Sequence, residues 1–234
     1  MKRVIGAAAG IKYFRRERNL PAEAVLSDGN GLFPDRVSPD EFAARVIQIV
    51  RSEGDEGLRR INTALDGGSP DILEVTQSEI DSAFDELDPA AVSALELAAD
   101  RVRKFQGRGL PKSWSDGTGK FGEKVTPLET IAAYVPGGTA PLASTVIMTV
   151  VPAKVAGVDE IIVATPTPGN ALPHPAILAA AKIAGADRVF KLGGAQAIAA
   201  LAYGTESVPA VDLICGPGNG WGTAAKKLVF GDVG

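Results

Sequence analysis

The chain of 234 residues is poor in the side chains that carry metal, thiol and imidazole chemistry: it holds one histidine, His174, and one cysteine, Cys215. A zinc site takes three or four convergent His, Cys or carboxylate ligands, so no metal ligand is expected in this chain. A single thiol excludes an internal disulfide and fits a reducing compartment. No apolar run approaches the ~20 residues that span a bilayer. The richest stretch, Thr145 to Val158, is interrupted by Pro152 and Lys154 and reads as a buried helix. With a net charge of −4 and no basic tract, the composition offers nothing to nucleic acid or to an anionic membrane. Val4 to Ile11 has the outline of a secretory leader, yet Lys12, Arg15, Arg16 and Glu17 break it with no small-residue cleavage site, so it reads as mature sequence.

Helix signals fill the first half. Ile11 to Arg18 reads as a short basic helix, and Asp28-Gly-Asn-Gly31 as a turn. Ser38-Pro-Asp-Glu41 and Thr76-Gln-Ser-Glu79 are capping boxes. Phe42, Val46, Ile49 and Val50 follow the first at helical spacing, and Gly54 ends that helix. A second helix carries Leu58, Ile61 and Leu65, and a longer one starts at Asp88-Pro89 with Val92, Leu95, Ala99 and Val102 on one face. Asp55 and Glu56 read as solvated. Gly107 to Gly122 reads as a linker, and Glu123 to Val125 as a strand paired with Thr130 to Ala133.

From residue 130 the pattern alternates: strands at 130–135, 160–165, 188–191 and 212–215, and helices at 144–156, 175–184, 195–203 and 221–230. Such alternation predicts an α/β fold: an N-terminal helical region over 1–122, then an incomplete Rossmann-like parallel sheet over 123–234. Three glycine corners fall where strands end: Tyr134-Val-Pro-Gly-Gly138, Leu192-Gly-Gly-Ala-Gln196 and Cys215-Gly-Pro-Gly-Asn-Gly220. A strand turning on glycine into a helix start presents backbone N–H groups and a positive dipole to an anion. Ligands in parallel sheets sit outside those carboxyl ends.

Three side chains mark the corners. Tyr134 offers a ring to stack and a hydroxyl to donate, or is a core tyrosine. Gln196 can donate and accept, or only cap a helix. Asn219 offers an amide to a ribose or carboxamide, or stands there because asparagine tolerates left-handed φ. No Gly-x-Gly-x-x-Gly is present. His174, between two prolines, reads as a surface residue and Cys215 as an inert thiol.

Longer motifs carry a resemblance. Ala133-Tyr-Val-Pro-Gly-Gly-Thr-Ala-Pro-Leu142, followed by Ser144-Thr-Val-Ile-Met148, is similar to the signature of histidinol dehydrogenases. So are Leu192 to Pro209 and Val211-Asp212 leading into Gly216-Pro-Gly-Asn219, with weaker echoes at Val50 to Leu58 and Leu110 to Trp114. The resemblance implies NAD-dependent oxidation of L-histidinol to L-histidine by a zinc-containing, cytoplasmic homodimer. It maps NAD contacts onto Tyr134, Gln196 and Asn219. It also implies that the zinc ligands and the catalytic Glu-His pair lie in a second half, beyond the Gly-Pro-Gly-Asn loop. No catalytic or metal-ligating residue is therefore expected in residues 1–234. A catalytically silent nucleotide- or partner-binding relative, or one half of a split enzyme, are the alternatives.

Overall fold

The computed structural model of the protein describes Phe33, residues 37–137 and residues 140–234. The helix expected at 11–18, the turn at 28–31 and Gly138 of the first corner lie outside them. The described elements are α1 (Pro39–Asp66), α2 (Gln77–Asp85), α3 (Pro89–Gly107), β1 (Trp114–Ser115), β2 (Gly122–Glu123), β3 (Thr130–Tyr134), α4 (Ala143–Ala156), β4 (Glu160–Thr165), α5 (Pro175–Ala184), β5 (Arg188–Lys191), α6 (Gly194–Tyr203), β6 (Leu213–Cys215) and α7 (Gly220–Val229).

Helix starts follow their capping chemistry. Ser38 Oγ accepts from Glu41 N at 3.2 Å, while the Glu41 carboxylate turns to Arg45 at 2.6 Å, so only half of that capping box forms. At Thr76 the box is reciprocal: Thr76 N donates to Glu79 Oε2 at 2.6 Å and Glu79 N donates back to Thr76 Oγ1 at 3.3 Å.

β3 to β6 form one parallel sheet in the order β5-β4-β3-β6. Right-handed crossovers fix the rest. The chain steps one way from β3 to β4 to β5, so α4 and α5 share a face. It then reverses to reach β6, which sends α6 to the opposite face. Alternation along the strands divides the core accordingly. Ala132, Tyr134 and Ile214 pack with α1, α6 and α7, whereas Ile131, Ala133, Val163 and Val189 pack with α2, α4 and α5. The N-terminal helices thus clothe both sides of the sheet. Leu73 to Val75 covers the free edge of β5: Val75 N donates to Val189 O, Lys191 N donates to Leu73 O, and Glu74 grips Arg188 with both carboxylate oxygens.

Two expectations are corrected. Gly122–Glu123 pairs antiparallel with Trp114–Ser115, not with residues 130–133. Asp116 makes that hairpin by accepting from Lys120 N and Phe121 N, and Thr130 to Tyr134 is already held on both sides by β4 and β6. Asp55 is 7% exposed rather than solvated. Gly54 takes φ 56°, ψ −133° and kinks α1; beyond the kink Asp55 N donates to Glu206 Oε2 at 2.8 Å. Ser207 donates to the Asp55 carboxylate through both its N–H and its hydroxyl.

Candidate functional site

Between β3 and β6 the strand order reverses, which opens a crevice at the carboxyl ends of the sheet. The loops after all four strands converge there: Pro136 and Gly137 after β3, Pro166 after β4, Gly194 to Gln196 after β5, and Asn219 with Trp221 after β6. Helix α1 adds Phe42, Leu65 and Asp66, and together these groups line a cavity of about 320 Å³. That is near the lower end of the roughly 300–1,000 Å³ typical of small-molecule sites. Tyr134, Gln196 and Asn219 all line it.

Glycine is required at two of the corners by close approach. A Cβ on Gly193 would lie 2.2 Å from Pro166 Cβ, and one on Gly216 would lie 2.1 Å from the Tyr134 carbonyl oxygen. Gly216 also sits at φ 109°. The loops can meet only because these positions carry no side chain. Lys226 Nζ closes the corner by donating to Gly216 O at 2.6 Å.

The polar groups are few and incompletely paired. Tyr134 is 2% exposed, with its ring in the core, so it offers the cavity its hydroxyl rather than its face. That oxygen accepts from Gly194 N at 3.1 Å. Burial, with the Asp66 charge adding to it, raises the phenol pKa and keeps the proton available for donation. Gln196 is 1% exposed. Its Nε2 donates to Asn62 Oδ1 at 3.2 Å and to Asp66 Oδ2 at 3.3 Å. The opposite amide orientation would point Oε1 at a carboxylate, so these partners fix the orientation. Oε1 is left as a buried acceptor with no hydrogen-bond partner among the described residues. Asn219 caps α7, its Oδ1 accepting from Gly222 N at 2.9 Å at φ −73°. The left-handed explanation of Asn219 is therefore set aside; the cap is its structural role, and its Nδ2 is not used in it.

Asp66, Phe42 and Trp221 line the cavity without having been expected there from the sequence. The signal for Asp66 was a carboxylate closing a helix just before Gly67-Gly68, against the helix dipole. His174 is exposed and caps α5, its Nδ1 accepting from Ala176 N at 3.1 Å. Burial raises the Cys215 thiol pKa, with Lys226 opposing, which keeps the thiol protonated. Among the described residues no three His, Cys, Asp or Glu side chains gather to hold a metal, and no helix is long and apolar enough to cross a membrane. A larger cavity of about 640 Å³, between α4, β6 and residues 110–128, has no charged side chain in its lining. Its polar lining is limited to Ser113, Thr126, Thr149 and Cys215, whereas the smaller cavity holds the carboxylate and both amides.

Comparison with known proteins follows the same residues. The chain is 46% identical to histidinol dehydrogenase of Deinococcus radiodurans over 234 residues, covering 98% of this chain and 53% of that protein. It is 49% identical to that of Thermus thermophilus over 197 residues, covering 83% and 46%. The crystal structure of histidinol dehydrogenase from Elizabethkingia anophelis superposes with a TM-score of 0.79 at 31% identity, covering 85% of this chain and 46% of that one. The chain thus spans about half the length of the curated relatives it matches. The family model for histidinol dehydrogenase matches residues 36–234, a span that includes every loop of the cavity. On these grounds the chain belongs to the histidinol dehydrogenase family.

Proposed function

We propose that the chain supplies the nucleotide-holding side of an NAD-dependent oxidation of L-histidinol to L-histidine, with Tyr134, Gln196 and Asn219 as the cofactor contacts. The observation that carries this reading is the orphaned Gln196 Oε1, buried in a cavity formed by four strand-end loops. A buried acceptor without a donor costs roughly 1–3 kcal/mol, so its persistence points to a ligand that satisfies it.

The residues present fit a nucleotide. Gln196 Oε1 accepts a hydroxyl or amide proton, Tyr134 Oη donates one, and the Asn219 amide donates from its free nitrogen. Helix α6 has no side-chain cap among the described residues; Gly194 N–H is taken by Tyr134 Oη, which leaves the following N–H groups and the helix dipole for a diphosphate. Pro136 and Pro166 add apolar walls. When bound, NAD supplies the hydride acceptor of the oxidation.

Residues 123–234 form the nucleotide domain in this reading, and the described part of residues 1–122 a mainly helical region. L-histidinol as substrate, a homodimeric state and a cytoplasmic location rest on family membership. The family's zinc finds no ligand set among the described residues. Calorimetric titration with NAD tests the proposal. The wild-type chain is expected to bind. Gln196→Met, which keeps the side-chain volume and removes both the donor and the acceptor of the amide, should weaken binding about tenfold, the worth of one hydrogen bond of ~1.4 kcal/mol. Equal affinity in the two proteins would count against it.

A further inference from the structure

Asp66 stands where several physical effects disfavour a carboxylate. It is the last residue of α1, at the negative end of the helix dipole, and no basic residue shares that turn. It is half-buried, and burial pushes its pKa up against the one hydrogen bond, from Gln196, that favours its charge. That bond is long, 3.3 Å, and is shared with Asn62. The neighbouring acceptor, Gln196 Oε1, has no donor among the described residues. Asp66 and Gln196 Oε1 both line the cavity as acceptors, and of the two N–H bonds on Gln196 Nε2 one goes to Asn62 and only one to Asp66.

The rest of the lining says what completes them. Among the described residues that line the cavity, Asp66 is the only charged side chain, and none of them is a cation. In doubly wound dinucleotide folds, an acid at the end of the second strand takes the ribose 2′-hydroxyl, whereas an arginine there accommodates a 2′-phosphate. Here the second strand of the unit, β4, runs out into Thr165-Pro166-Thr167, with neither acid nor base. A carboxylate reaches the cavity from α1 instead.

We propose that Asp66 is the ribose-hydroxyl acceptor of this cavity and that it sets a preference for NAD over its 2′-phosphorylated counterpart, NADP. The assignment rests on the nucleotide reading above. A hydroxyl donor relieves the unmet acceptor capacity of Asp66. A 2′-phosphate brings two negative charges to a carboxylate that no cation among the described lining residues offsets.

The test is a calorimetric titration of the whole chain with NAD and with NADP, for wild type, Asp66→Asn and Asp66→Glu. Wild type is expected to favour NAD. Asp66→Asn, which keeps an acceptor for Gln196, should bind NAD about tenfold more weakly and lose none of its affinity for NADP, so the preference falls at least about tenfold. Asp66→Glu keeps the charge and should keep the preference, which separates electrostatic discrimination from a loss of folding. An unchanged NAD-to-NADP ratio in Asp66→Asn would overturn the assignment. If NAD binding is weakened by Gln196→Met and untouched by Asp66→Asn, the nucleotide reading stands and Asp66 alone is misassigned. A wild-type chain that binds neither nucleotide overturns both.

Discussion

Replacing Gly216 by alanine tests whether the carboxyl ends of β3 and β6 meet as closely as the cavity requires. Two costs combine. Gly216 sits at φ 109°, where an L side chain is strained, at about 1–3 kcal/mol. The new Cβ would also lie 2.1 Å from the Tyr134 carbonyl oxygen and 3.1 Å from its carbon. Those are backbone atoms of a strand pinned on both sides by β4 and β6, so relief requires moving a ladder rather than a rotamer. Forced overpacking of this kind costs roughly 1–3 kcal/mol more. A combined loss near 3 kcal/mol or above lowers Tm by at least about 6 °C, at ~2–4 °C per kcal/mol for a chain of this size. The control is Gly220→Ala, at the first residue of α7, where a Cβ meets nothing within 4 Å; its Tm should hold or rise slightly. Thermal unfolding followed by circular dichroism measures both. A Gly216→Ala protein melting within about 2 °C of wild type would refute the reasoning.

Two further predictions concern buried carboxylates of opposite tendency. Burial disfavours the Asp55 charge, but hydrogen bonds from Ser207 and Thr205 outweigh it and hold the pKa below its ordinary value. Its stabilising contribution is therefore full above the unfolded value of about 3.9 and is lost as pH falls through the lower folded value. Asp55→Asn should lower stability at neutral pH and flatten the acid limb of the stability curve below about pH 4; a parallel loss at every pH would contradict this. Asp66 has a raised pKa, so its ionised form burdens the ligand-free protein at neutral pH and the burden lifts as pH falls through the folded value. Asp66→Asn should therefore raise the Tm of the ligand-free chain at pH 7, with the gain shrinking on acidification, and a lower Tm at pH 7 would speak against it.

Much of the sheet was legible because its signals are local. Glu160–Thr165, Pro175–Ala184 and Arg188–Lys191 have the bounds that periodicity and Gly or Pro punctuation assign. The convergence of Tyr134, Gln196 and Asn219 followed from parallel topology alone, since residues at strand ends share one edge. What escaped depends on distant partners. Asp55 reads as a solvated helix residue until Glu206 and Ser207 arrive from more than a hundred residues away. Asp66 enters the cavity only because α1 packs on the face that bears α6 and α7. The partner of Gly122–Glu123 is chosen by Asp116, whose side chain organises the hairpin turn, a choice that adjacency along the chain to Thr130–Ala133 does not reveal. Asn219 was open to a left-handed explanation because glycine and proline surround it, and the N-cap bond to Gly222 became visible only with the start of α7 in place.

The central claim is that the crevice between β3 and β6 holds a nicotinamide dinucleotide. A crystal structure of the chain grown with NAD tests it most directly. The account predicts nucleotide density in the 320 Å³ cavity, with a ligand donor within hydrogen-bond distance of Gln196 Oε1 and a ligand acceptor within reach of Tyr134 Oη. Density for the nucleotide elsewhere, such as the apolar cavity beside Met148 and Leu213, with Gln196 Oε1 still unpartnered, would contradict it.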